Sequence, residues 1–277
     1  MQKRTHTIYA LGTMIALFGI TQPAKAGFLQ IPNFVHPQTK NLHPDEPMVP
    51  YNETLSLSGA SRAWQHNPIT IDCGCQYSTK MGNKGQILQQ TCGYANRSGV
   101  KAPLSAQWSR VIPLEHLALG RDCASGAPPC HDSDGHALFG AACCAIIDPQ
   151  FKRMTNDVWN WAPMVSGIVQ DRGESMFGIL PSGVSPYGNC PIKIDPQRGT
   201  LEPVDKEKGV IARVYLYFAN QWNVPFTPSE LDTYKLWNEE YPATQDEKER
   251  ASIINDLQRK TNPYYPNTSF MIENNTQ

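Results

Sequence analysis

The spacing of apolar residues changes several times along this chain, and each change predicts a different kind of segment. Residues 8–20 are almost wholly apolar, whereas residues 27–68 show neither a helical nor an alternating pattern. A strand-like segment begins near Ile69. From residue 149 onward the apolar positions recur at helical spacing, and the mostly apolar residues 209–222 predict a buried helix.

Two further helix starts are predicted near the C-terminus from their capping residues. The segments TPSE at 227–230 and TQDE at 244–247 each place a threonine three residues before a glutamate. In such a capping box the two side chains satisfy backbone N–H groups that the first helical turn leaves without partners. The first segment also has proline at the first helical position, which favours a helix start.

The N-terminus has the pattern of a secretory signal peptide. Lys3 and Arg4 precede the apolar residues 8–20, and Ala24 to Ala26 form a small-x-small cleavage signal. This apolar run is short for a bilayer span, and no later stretch without charge or proline is longer. We therefore expect residues 1–26 to be removed, no transmembrane segment in the mature chain, and a periplasmic or secreted protein.

The mature chain divides into three predicted parts. Residues 27–68 are rich in proline and predict an N-terminal arm, either a disordered spacer or a docking segment. Residues 69–265 are long enough for one large domain, and residues 266–277 predict a flexible tail. Removal of the signal peptide leaves 21 basic and 25 acidic residues, a net charge of −4. A nucleic-acid site would therefore have to be a local basic patch.

Eight cysteines lie in the exported part of the chain, and disulfides are their expected state in an oxidising compartment. Spacing alone does not determine how eight cysteines pair. Two neighbours, Cys143 and Cys144, are expected to reach different partners, because a bridge needs Cα atoms about 5.5 Å apart. The eight are Cys73, Cys75, Cys92, Cys123, Cys130, Cys143, Cys144 and Cys190.

Residues 130–144 also leave two metal interpretations open. Cysteine and histidine ligands a few residues apart are typical of zinc sites, although this spacing matches no common zinc module. Asp132, Asp134 and Gly135 are similar to half of a calcium loop that lacks its closing glutamate. The candidate zinc ligands are Cys130, His131, His136, Cys143 and Cys144.

Several short motifs occur in a fixed order and carry a family resemblance. They are CGC at 73–75, TCGY at 91–94, Trp108, Asp157 with Asn160, DRG at 171–173, YGNC at 187–190 and GVIARVYLYF at 209–218. In this order the chain resembles the bacterial endonuclease I family of periplasmic or secreted ββα-metal nucleases. The resemblance implies an α+β fold in which a ββα-metal (His-Me finger) element is embedded in a largely helical, disulfide-tied domain.

The resemblance also implies where the catalytic groups belong. In the family a histidine takes a proton from water, and a divalent cation is bound by a carboxylate and an asparagine. The family segment reads approximately EWEHVVPA, which aligns Ser109 with the glutamate and Arg110 with the histidine. A guanidinium cannot act as a base, and serine is a weak ligand for a hard cation. Asn160 matches the metal-binding asparagine.

Other residues offer alternatives at this site. Glu115 and His116, six residues after the aligned pair, are a candidate relocated catalytic pair or ordinary surface residues. Arg110 is a candidate phosphate ligand or a partner in a salt bridge. Arg172 and Arg213 match arginines of family segments, and phosphate contacts or buried ion pairs are both open for them.

The favoured functional interpretation is a catalytically degenerate nuclease that serves as a structural or binding component of a cell-envelope assembly, such as a secretion apparatus. No cofactor is expected in that case, and nucleic acid is a further candidate partner. The alternative is an active Mg²⁺-dependent endonuclease acting on DNA or RNA. A non-cleaving nucleic-acid binder is a third interpretation.

Overall fold

A four-stranded antiparallel sheet lies among eight helices in the part of the chain that the structure, a computed structural model, describes, namely residues 53–78, 84–101 and 104–265. The helices are α1 (Glu53–Trp64), α2 (Leu114–Ala118), α3 (Gly140–Ile147), α4 (Pro149–Thr155), α5 (Ser166–Arg172), α6 (Asp205–Gln221), α7 (Pro228–Glu240) and α8 (Gln245–Gln258). The strands are β1 (Tyr77–Ser78), β2 (Lys84–Ile87), β3 (Ser105–Arg110), β4 (Cys130–His131), β5 (Ala137–Leu138), β6 (Trp161–Val165), β7 (Met176–Phe177), β8 (Lys193–Asp195) and β9 (Thr200–Glu202).

The central sheet contains the predicted ββα element. Its strand order is β1-β2-β3-β6, and α5 begins directly after β6. The hydroxyls of Ser105 on β3 and Ser166 on α5 share a hydrogen bond of 2.9 Å, which joins this helix to the sheet. Residues 111–160 are inserted between the two strands of the element. Together with the disulfides and the helices, this arrangement confirms the predicted α+β fold.

The pairing of β3 with β6 determines which side chains share a face of the sheet. Trp108 lies opposite Pro163, and Arg110 lies opposite Trp161. Because side chains alternate along a strand, Trp108 and Arg110 share one face, and Ser109 lies on the other. The two residues that replace the family's catalytic pair therefore point to opposite sides of the sheet.

The helices predicted from apolar spacing and capping boxes are confirmed. Helix α4 buries Phe151 and Met154, and the Asp148 carboxylate accepts backbone N–H bonds at its start. Every residue from Glu207 to Phe218 in α6 is buried. Both capping boxes form, at the starts of α7 and α8. None of the helices in the described ranges is long and apolar enough to cross a membrane.

Helix α1 corrects the predicted extent of the N-terminal arm. Its Ala60 and Trp64 are buried, and the Arg250 guanidinium of α8 lies 3.4 Å from the centroid of the Trp64 ring. The extended-arm prediction is thus wrong for residues 53–64, which belong to the domain. The signal peptide, residues 27–52 of the arm and the tail at 266–277 lie outside the described residues.

All eight cysteines form disulfide bonds, which ties the loops around the central sheet together. Cys143 and Cys144 reach different partners, as predicted. The zinc interpretation of residues 130–144 is wrong for its cysteine ligands, since a bridged sulfur is no longer a thiolate. The pairs are Cys73–Cys190, Cys75–Cys92, Cys123–Cys144 and Cys130–Cys143.

Candidate functional site

Arg110 ends β3 at the position that aligns with the family's histidine. Its guanidinium carbon lies 4.1 Å from the centroid of the Trp161 ring, a cation–π contact with the residue directly across the ladder. Ser109, half-buried, offers a hydroxyl but no charge. Because arginine has five N–H donors and no lone pair, this end of β3 can hold an anion but cannot accept a proton from water.

Arg172 anchors the end of β3 and does not face a ligand. Its Nη1 donates to the Arg110 carbonyl at 2.9 Å, its Nη2 to the Val111 carbonyl at 2.6 Å, and its Nε to the Ser175 carbonyl at 2.8 Å. The side chain is buried, and burial lowers the pKa of its guanidinium. The phosphate-contact prediction is therefore wrong for Arg172, which is a structural residue of the element.

Arg213 of α6 is also structural. Its Nη2 donates to the Glu247 carboxylate at 2.6 Å, and its Nη1 donates to the Tyr241 carbonyl at 2.9 Å. The residue is only 1% exposed. These contacts confirm the buried ion pair that was the alternative to phosphate binding, and they hold α6 against the start of α8.

The Asn160 side chain is hydrogen-bonded to the backbone of the inserted residues 111–160. Its Oδ1 accepts the Ile112 N–H at 2.7 Å, and its Nδ2 donates to the Ile112 carbonyl at 3.0 Å. The residue is fully buried. The amide oxygen and the amide nitrogen both bind the backbone of Ile112, and neither is accessible to solvent. Asn160 therefore does not fit the role of ligand to a hydrated cation that the resemblance assigned to it.

Replacing Asn160 with alanine should therefore affect stability and not metal affinity. The Ile112 N–H and C=O would lose their buried partners, and we expect the free energy of unfolding to fall by about 2–4 kcal/mol. Urea unfolding of the wild type and the variant, with and without Mg²⁺, measures this difference. A variant as stable as the wild type in EDTA, but without a Mg²⁺-dependent stabilisation that the wild type shows, would restore the ligand assignment.

Glu115 and His116 lie on α2 and not on β3, and each has its own structural contact. The Glu115 carboxylate accepts the Ala141 N–H at the start of α3 at 3.1 Å. His116 donates from Nε2 to the Pro225 carbonyl at 2.9 Å and stacks on Phe226. Burial lowers the pKa of the His116 imidazole. The two side chains are thus directed to different neighbours and do not form a relocated base-and-ligand pair.

Helix α5 supplies one carboxylate, and that carboxylate is already paired. Asp171 accepts from the Arg97 guanidinium and from the Tyr187 hydroxyl, each at 2.8 Å. Among the described residues, the group of carboxylates and imidazoles close enough to share a metal ion is Asp132, Asp134 and His136, in the turn between β4 and β5. No such group lies at the end of β3 within these residues.

The sequence reasoning missed Trp161, which supports the side chain of Arg110. The two residues are far apart in the sequence and meet only through the pairing of β3 with β6. An aromatic residue in a short apolar strand predicts a core position, and nothing local indicates that an arginine covers its ring. The Arg97 contact with Asp171 was missed for the same reason.

The ββα element, the surrounding helices and the disulfides define a class of exported nuclease-like α+β domains. The chain belongs to the endonuclease I family, because the family's sequence model matches residues 75–268. One relative is an Endonuclease-1 of Buchnera aphidicola subsp. Acyrthosiphon pisum, which is 29% identical over 71% of this chain and 73% of the relative. An extracellular deoxyribonuclease of Aeromonas hydrophila is 27% identical over 74% of this chain and 83% of the relative.

A periplasmic deoxyribonuclease of Aeromonas hydrophila is 26% identical over 73% of this chain and 80% of the relative. The named locations of these relatives agree with the signal peptide predicted for residues 1–26. The protein is periplasmic or secreted, which confirms the predicted localisation. The disulfide bonds of its domain suit that oxidising environment.

Proposed function

We propose that this protein is a catalytically inactive member of the endonuclease I family that acts as a binding component of the cell envelope. The observation that carries the proposal is Arg110 at the end of β3, with its guanidinium placed on Trp161 where the family has its histidine base. Plasmid cleavage in the presence of Mg²⁺ tests it directly.

The chemistry of phosphodiester hydrolysis supports this proposal. Water is a poor nucleophile without a base, and the phosphate repels it until a cation or N–H donors neutralise the charge. Position 110 supplies no base, and the hydroxyl of Ser109 is a weak ligand for Mg²⁺. Asn160 is buried on the backbone of Ile112, so the second expected metal ligand is engaged elsewhere. No Mg²⁺ is needed for the proposed function.

Nucleic acid is the ligand class favoured by Arg110 and the aromatic ring that supports it. Arg110 carries a charge that does not depend on pH in the physiological range. A guanidinium held on an aromatic ring is restricted in its orientation and can donate two parallel N–H bonds to a phosphate. Arg110 can therefore bind a phosphate without hydrolysing the ester.

Association with an envelope assembly, such as a secretion apparatus, is the second part of the proposal. It rests on the proline-rich residues 27–52, because residues 53–64 belong to the domain as α1. Extended proline-rich segments bind by covering a partner's surface or by adding a strand to it. The arm available for docking is therefore shorter than the predicted residues 27–68.

Deleting residues 27–52 should release the protein from such an assembly without unfolding the domain. The deletion leaves α1 in place with its Trp64–Arg250 contact, so we expect the melting temperature to change by less than about 2 °C. Size-exclusion chromatography of detergent-solubilised envelopes measures the association, with deletion of residues 266–277 as the control. A full-length mature protein that elutes as a free monomer and co-purifies with nothing contradicts the assembly role.

An active Mg²⁺-dependent endonuclease is the second candidate function. The names of the relatives favour it, since those proteins are called endonucleases and deoxyribonucleases. It would require Glu115 and His116 to leave their contacts with Ala141 and Pro225 and to act together. Plasmid nicking that EDTA abolishes would support this candidate over the inactive protein.

A further inference from the structure

A groove with a volume of about 210 Å³ lies between α1 and the central sheet. It is on the face of the sheet that carries Trp108 and Arg110. Its wall combines three aromatic rings with neutral hydrogen-bonding side chains, and no lining residue among those described is charged. The residues that matter for binding are Trp64, Tyr77, Trp108, Ser61 and Gln65.

The aromatic rings of this α1 groove are held in place by the fold. Trp64 is buried beneath the Arg250 guanidinium, 3.4 Å from the ring centroid. Tyr77 lies across Gly85 of β2, where a Cβ atom would collide with its ring. Trp108 is only half-buried, so part of its ring is accessible to a ligand. A rigid, partly open aromatic wall favours binding of a planar group, because little side-chain entropy is lost on binding.

Two arginines lie close in sequence to residues that line the α1 groove. Arg110 follows Trp108 by two residues on the same strand face, about 6.6–6.8 Å further along. Arg62 is exposed in the last turn of α1 and follows Ser61, which lines the groove. The groove therefore has a neutral, aromatic wall, and the two elements that carry its lining residues, α1 and β3, each also carry an arginine.

We propose that the α1 groove binds one unstacked base of a single-stranded nucleic acid, with the flanking phosphates on Arg62 and Arg110. A cavity of about 150 Å³ accommodates a benzene ring, so the α1 groove is large enough for one heterocycle. Base stacking on an aromatic side chain contributes about 1–3 kcal/mol per base and tolerates any sequence. The Gln65 amide offers both donors and acceptors to the base edge. This inference rests on the proposed function, since the bound strand must remain uncut.

Binding of a fluorescein-labelled oligo-dT to the oxidised mature protein in EDTA tests the inference. By anisotropy we expect the single strand to bind at least about tenfold more tightly than a duplex of equal length. Trp108→Ala should weaken binding by about 5- to 150-fold, whereas Trp108→Phe should retain most of the affinity. Replacing either flanking arginine with glutamine should reduce the salt dependence of log K by about 0.7.

Two further variants separate the groove from general effects on folding. Ser61→Leu fills the groove from an exposed helix position without removing a core contact, and should weaken binding as Trp108→Ala does. Phe139→Ala removes an aromatic ring that is 62% exposed elsewhere, on the N-terminal side of α3, and should leave binding unchanged.

Several results would overturn the groove assignment. Equal affinity for single strand and duplex, unaffected by Trp108→Ala or Ser61→Leu, would place nucleic acid on another surface. No binding at low salt would exclude this ligand, and quenching of Trp108 by a proline-rich peptide instead would assign the groove to a protein partner. Plasmid cleavage in Mg²⁺ would refute the proposed function alone, because the binding experiment contains EDTA.

Discussion

Purified, oxidised mature protein is expected to leave supercoiled plasmid intact in Mg²⁺ under conditions in which an active family member nicks it. Loss of a general base typically lowers the rate by about 10²–10⁴-fold. Arg110 supplies no base, and loss of the carboxylate ligand at Ser109 should reduce the rate further. The measurement is a time course of nicked and linear plasmid on agarose gels, with the rate compared per mole of protein.

The variants Glu115→Ala and His116→Ala provide the control for a relocated site. Both residues are held by α3 and by the Pro225 carbonyl, so neither substitution is expected to change the nicking rate. The double variant Ser109→Glu, Arg110→His should gain little activity, because Asn160 is not available as the second ligand. Nicking at a family-like rate that EDTA and His116→Ala both abolish would show that the catalytic pair has moved.

The helices with capping boxes were predictable from a few neighbouring residues. A capping box satisfies backbone groups within one turn, so Thr227 and Thr244 reveal their helices without knowledge of the core. Helix α1 gave no such signal: its sequence ETLSLSGASRAW contains several small polar residues and only a weak apolar stripe. It is stabilised by packing, as the Arg250 contact with Trp64 shows, and tertiary contacts are not visible in a local pattern.

The sequence indicated which residues to expect at the candidate site, but not which groups those residues contact. The alignment matched Arg110 with the family's histidine, and the structure places Arg110 at the end of β3. Whether an arginine meets a phosphate, a carboxylate or a carbonyl depends on residues distant in sequence, and Arg172 meets the carbonyls of Arg110 and Val111. Asn160 matched a motif, but its two hydrogen bonds to Ile112 exist only once the inserted segment has folded.

The groove beside α1 lies on only one of the two faces of β3. Ser109 points to one face of the sheet, whereas Arg110 and Trp108 share the other face with the groove beside α1. Replacing the family's histidine with arginine therefore removes a base and adds a permanent charge next to an aromatic wall. In the proposed function, this substitution and the loss of the carboxylate at position 109 together prevent hydrolysis, and the added charge contributes to holding a strand.

Reduction of the disulfides is expected to unfold the domain. Each bridge typically contributes about 2–4 kcal/mol, and a protein of this kind has only about 5–15 kcal/mol of net stability. Four bridges together therefore match the whole stability of the fold. The Cys73–Cys190 bridge joins residues 117 apart, against 13 for Cys130–Cys143, so chain entropy predicts the larger contribution from the former.

Thermal unfolding followed by circular dichroism, with and without a phosphine reductant, measures this loss. A Cys73→Ser, Cys190→Ser variant should melt below a Cys130→Ser, Cys143→Ser variant, and both should melt below the wild type. The longer loop regains more conformational freedom in the unfolded chain when its bridge is removed. Denatured but unreduced protein should present no thiols to a thiol reagent, because the structure contains no free cysteine. Four or more reactive thiols together with one equivalent of bound zinc would instead return residues 130–144 to the metal interpretation.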